Sequence, residues 1–179
     1  NLYKRAYDKI YKDNYQPNYT YAKANLYQPS YDSTYTSTYD SIYQNGSTTS
    51  STYQTKYTQV AGKNTTLYRN QEIETYVNTK EYQDYYNKRY DQYYWNSTAT
   101  VPNDGTTKYD GGWLNKEQAA ANAMKNTIQK IETSKGTIIT NIVNNRLKDK
   151  TLAEIRADAT VIAKNKALSV ANLTVENYA

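Results

Sequence analysis

A chain of 179 residues with 23 tyrosines and no phenylalanine, cysteine or histidine lacks the side chains that most nucleophilic, thiolate and zinc chemistry uses. Its net charge of +5 is spread over both halves, which suits solubility better than a nucleic-acid footprint. A mean hydropathy of −1.01 is low for a globular chain, yet 14% aromatic residues argue against plain disorder, because tyrosine can bury a ring and keep its hydroxyl wet.

No apolar run reaches the roughly 18 residues a membrane-spanning helix needs, so no span is expected. The chain opens at Asn1 instead of Met, which fits removal of a leader and export. Without disulfides, stability is expected to come from elsewhere, assembly included.

In chain order, the first element is LYKRAYDKIYK (2–12), where tyrosines recur every fourth residue among Lys, Arg and Asp. Good helix formers between the rings predict a helix with a tyrosine stripe. The spacing continues at Tyr27, Tyr31, Tyr35, Tyr39 and Tyr43, but here the gaps hold Ser, Thr and Asp. Those residues avoid helix interiors, and Tyr with Thr favours the pleated sheet. The tract YDSTYTSTYDSIY (31–43) therefore predicts a strand with one tyrosine face, inside an extended region of about 27–60. Its partner would be STYQTKYTQV (51–60) beyond the turn-like QNGSTTS, or a second copy. EYQDYYNKRYDQYYW (81–95) returns to helix formers and predicts a helix over about 70–95.

The last third is aliphatic. GGW at 111–113 marks a hinge, and Gly136 a helix end or a weak point. Asn115 with Gln118, and Thr151 with Glu154, have the spacing of capping boxes. Met124, Ile128, Ile131, Ile138 and Ile142 form one stripe; Leu152, Ile155, Ala159, Ile162 and Ala163 form another. The expected fold is α+β, with a tyrosine-rich half (1–110) that mixes helices with a long extended β segment. A helical module (111–179) follows as a small hairpin or bundle.

Chemistry is sparse. Glu72 and Glu74 diverge on a helix and make a poor acid–base pair. Asp104 and Asp110 in VPNDGTTKYDGG do not match the calcium-loop spacing, so no metal and no cofactor is expected. Acidic residues inside both basic–aromatic helices oppose a phosphate backbone, so no nucleic-acid partner is expected. The chain does not read as an enzyme. A long polar strand with one tyrosine face lacks a core of its own and is better stabilised against another copy. The reading is a secreted, extracellular or cell-surface structural protein, a homo-oligomer assembling through Tyr27, Tyr31, Tyr35, Tyr39 and Tyr43. The alternative is a glycan-binding module with Tyr93, Tyr94 and Trp95 as a stacking platform. Sequons at Asn18, Asn45, Asn64, Asn96 and Asn172 are candidate glycosylation sites on an exported chain, although this composition yields about as many by chance.

Overall fold

A computed structural model describes residues 1–95 and 116–179, apart from the Trp95 side chain. The elements are α1 (Leu2–Ile10), a π-helical turn (Tyr11–Tyr15), α2 (Gln16–Asn25), α3 (Tyr27–Tyr43), a 3-10 turn (Gln44–Gly46), α4 (Ser51–Val77), α5 (Lys80–Trp95) and α6 (Lys116–Tyr178). No strand occurs among the described residues, so the fold is all-α and the α+β expectation is corrected.

The extended region expected over about 27–60 is α3, a short turn and the start of α4. Ser and Thr are tolerated there because their hydroxyls bond back to the preceding turn: Ser41 donates to the Thr38 carbonyl at 2.7 Å and Thr58 to the Gln54 carbonyl at 3.0 Å. Helix propensity is a weak prior that tertiary packing overrides. Four-residue spacing puts the tyrosines in one continuous row on a helix, which a packed face can use.

The C-terminal hairpin or bundle is corrected as well, since α6 is one helix of 63 residues. Gly136 lies inside it and costs only about 0.5–1 kcal/mol relative to alanine. Thr151 is buried in its interior rather than capping a start. Asn115 and the GGW hinge lie outside the described residues.

Local chemistry sets the breaks. Pro17, near the start of α2, has no N–H to give and crowds the carbonyl four residues back. The preceding turn widens to the π form, and the Gln16 N–H reaches the Tyr11 carbonyl. Pro29 falls in the first turn of α3, where its missing donor costs nothing. Gln44, Asn45 and Gly46 all take positive φ (51°, 54° and 73°) and end α3. A Cβ at Gly46 would approach the Tyr43 hydroxyl to 3.1 Å, so glycine is favoured there on two counts. Ser50 then caps α4, accepting the Tyr53 N–H at 3.1 Å.

The chain divides into two compact units, Asn1–Gln59 with Asp149–Ala179, and Val60–Lys148. Each is organised by α6. In the second unit Ala119, Ala123, Thr127, Ile131, Ile139, Val143 and Leu147 are buried; in the first, Thr151, Ile155, Ala159, Ala163, Ala167, Ala171 and Val175. Every member sits four residues, or a multiple of four, from the next. With about 3.6 residues per turn, such a row advances roughly 40° per step, so a partner that follows it winds in the right-handed sense.

Candidate functional site: tyrosine rows and an unpacked helix

Four residues of α-helix rise about 6 Å, and that rise sets the geometry of the tyrosine rows. Along α3 the Tyr27–Tyr31, Tyr31–Tyr35 and Tyr35–Tyr39 rings stack at centroid separations of 6.3, 6.2 and 6.0 Å; Tyr39–Tyr43 is tilted at 5.7 Å. Shorter rows follow the same rule: Tyr11–Tyr15–Tyr19, Tyr53–Tyr57 and Tyr86–Tyr90–Tyr94. Offset stacks at this distance add roughly 0.5–1.5 kcal/mol per pair beyond area burial.

In the first unit the rows are tied to the C-terminal stretch of α6 by polar contacts. Tyr15 donates to Glu176 at 2.9 Å, and Arg156 donates to the Tyr43 hydroxyl at 3.0 Å. Thr174 spends its own proton on the Val170 carbonyl, so Ser30 is the donor in the 2.9 Å Ser30–Thr174 pair. Tyr21 stacks on Tyr178 at 5.3 Å, and Lys56 pairs with Asp158 at 2.7 Å. The bond to Glu176, followed by burial, raises the Tyr15 pKa, because a phenolate would lose the bond and face the carboxylate. Burial, helped by Tyr57, raises that of Tyr53.

In the second unit, Arg146 donates to Glu72 at 3.0 Å and to Gln71 at 2.7 Å, with its guanidinium 3.9 Å from the Tyr68 ring centroid. Deeper, Arg89 is fully buried. It donates to Tyr93 at 3.1 Å and Gln92 at 3.2 Å, while Asn126 donates to the same Tyr93 hydroxyl at 2.8 Å. This cluster locks α5 to α6. Nothing in the sequence pattern announced it, because it exists only once residues 89 and 126 meet.

The expected site residues are placed as follows. Tyr27, Tyr31, Tyr35, Tyr39 and Tyr43 share one face of α3 and are half-buried. Tyr93 points inward and Tyr94 is half-buried, stacked on Tyr90; the Trp95 side chain lies outside the described residues. Asn18, Asn45 and Asn172 are exposed, whereas Asn64 is half-buried and donates to the Val60 carbonyl. Asn96, Asp104 and Asp110 lie outside the described residues. Among those described, no three potential metal ligands cluster, and no helix is long and apolar enough to cross a membrane.

The surface that sequence reasoning underweighted is α1. The tyrosine stripe over 2–12 is legible in the sequence, although the expected assembly residues are those of 27–43. No α1 residue is buried; Leu2, Tyr3, Tyr7 and Ile10 are 84%, 79%, 61% and 63% exposed. They lie on one face, with Lys4, Arg5, Asp8, Lys9 and Lys12 opposite, and ion pairs Lys4–Asp8 and Lys9–Asp13 bracing the polar side. No family model, curated protein or solved structure matches the chain.

Proposed function

We propose that the chain is a secreted structural protein, a subunit of an extracellular filament, sheath or surface matrix. Copies join through tyrosine-rich helical contacts. The observation that supports this reading is α1. Its Tyr3 and Tyr7 continue the four-residue spacing of Tyr11, Tyr15 and Tyr19, yet they are 79% and 61% exposed among the described residues. An unpacked apolar row of this kind is a contact surface awaiting a partner. The exposed Asn18, Asn45 and Asn172 are where an exported chain would carry N-linked glycans.

The test is sedimentation and imaging of the native material, with intact mass on the same sample. Long regular polymers are expected, with mass above 20.7 kDa per chain if glycans are attached. A monodisperse monomer at every concentration overturns the assembly reading.

A further inference from the structure

Among the described residues, the stacked tyrosine pairs join rings four positions apart in sequence, with one exception. Tyr21 of α2 lies against Tyr178 of α6, with ring centroids 5.3 Å apart and planes inclined by 30°. The two rings come from distant parts of the sequence and belong to the same compact unit. Neighbouring bonds hold them in register: Tyr15 donates to Glu176 and Ser30 donates to Thr174. Tyr21 is 51% exposed among the described residues, so a small oxidant in solution reaches its ring.

Phenols in contact share a covalent chemistry. Loss of an electron and a proton turns a tyrosine into a phenoxyl radical, with spin on the oxygen and on the ring carbons beside it. An electron passes readily between touching rings, so an oxidant that attacks Tyr21 also serves Tyr178. Two adjacent phenoxyls couple through those carbons, Cε to Cε. The hydrogen on each newly bonded carbon then shifts to oxygen, and both phenols are restored. Two electrons and two protons leave in all; a haem peroxidase reducing hydrogen peroxide to two waters takes up both.

We propose that Tyr21 and Tyr178 form a cross-linking site, joined into dityrosine by a one-electron oxidant of the peroxidase class. The four-residue rows are poorer sites. Their rings leave one helix side by side, held apart by its rise of about 6 Å, and a bond between them closes only a few residues of chain. The Tyr21–Tyr178 bond ties α2 to α6 across a long loop, which restricts the unfolded chain far more. Both rings belong to one chain, so the site stands whether or not copies assemble.

The test exposes dilute protein to light with tris(bipyridine)ruthenium and persulfate, a small one-electron oxidant. The expected product is a fluorescent monomer lighter by two hydrogens, in which the tryptic peptides 13–23 and 167–179 are joined. Tyr178 is the only tyrosine of the second peptide. Tyr21→Phe and Tyr178→Phe keep a ring in the stack but form no phenoxyl, and each is expected to abolish the joined peptide; Tyr57→Phe is expected to leave it unchanged. The cross-linked chain should unfold at a higher urea midpoint, by on the order of 1 M. A wild type that forms no dityrosine, or forms it only between four-residue neighbours, overturns the inference. So does a joined peptide that survives in Tyr21→Phe, which moves the bond to Tyr15 or Tyr19. Coupling found only between copies overturns it too, while supporting the assembly reading above.

Discussion

The buried row of α6 has the same four-residue frame in both units but different contents. In the unit of residues 60–148 it holds Ile131, Ile139, Val143 and Leu147; in the other it holds Ala159, Ala163, Ala167 and Ala171. The partner elements differ in the opposite sense. The alanine stretch shares its unit with the five-tyrosine row of α3 and with Tyr53 and Tyr57 on α4. The aliphatic stretch shares its unit with the smaller Val60, Ala61, Asn64 and Thr65, and with Ile73, while the Ala119–Ala123–Thr127 end of the same row shares it with the large buried Tyr82, Arg89 and Tyr93. Volume is complementary: where α6 is small its neighbours are large, as close packing demands. Tyrosine is thus a packing solution beside the small stretches of the α6 row in both units, and in the first it leaves hydroxyls free to bond Arg156 and Glu176.

That contrast can be broken at either end. The largest effect is expected from changing Tyr31, Tyr35, Tyr39 and Tyr43 together to Ser. Four ring pairs are lost, roughly 2–6 kcal/mol before any area term, and urea unfolding should show it. Ile139→Ala empties a fully buried site in the aliphatic unit and is expected to cost about 2–5 kcal/mol by the same measurement. Ala163→Leu overfills the alanine row and should cost about 1–3 kcal/mol. If Ala163→Leu proves neutral, the alanines are not held against bulky neighbours and the contrast fails. Arg146→Met, which deletes the partly exposed Glu72 pair but keeps a stem over Tyr68, is expected to cost no more than about 1 kcal/mol.

Alkaline pH sharpens the tyrosine side of the comparison. Tyr15 and Tyr53 both titrate above the ordinary tyrosine value near 10. The neutral phenol is the form the fold favours, so their contribution to stability is complete below that value. It is lost as pH climbs through their raised pKa values. Helix content followed against pH, beside phenolate absorbance, should show ionisation and unfolding of the tyrosine-rich unit rising together. Tyr53→Phe should keep the packing and remove one share of that dependence.

Part of this architecture was legible from residues alone. Over 2–12 and 81–95, Lys, Arg, Gln and Asp between the rings favour a helix, and helices form there, although the single helix expected over about 70–95 is broken between Val77 and Lys80, its first part being the end of α4. Over 31–43 the same tyrosine spacing sits among Ser, Thr and Asp, whose intrinsic preferences point to a strand. What decided the outcome was the row on α6, some 130 residues away, and local propensity carries no trace of it. The aliphatic third misled differently: Gly136 and the Thr151–Glu154 pair resemble a helix end and a helix start, yet both lie within α6, where an uninterrupted buried row outweighs a weak glycine and an interior threonine. Arg89, Asn126 and Tyr93 were invisible for the same reason as the row, since a buried arginine cannot be told from a solvated one until its neighbours are placed.

The four-residue frame also governs how such a chain tolerates changes in length. Adding or deleting one residue inside α6 would turn everything downstream by about 100° and swing the buried row out into water. Adding four advances the helix by about 6 Å and leaves every later side chain in its place in the row. Growth or shrinkage of this protein is therefore quantised: tolerated indels should come as tetrads within the helices and as single residues only at breaks such as Gln44–Gly46.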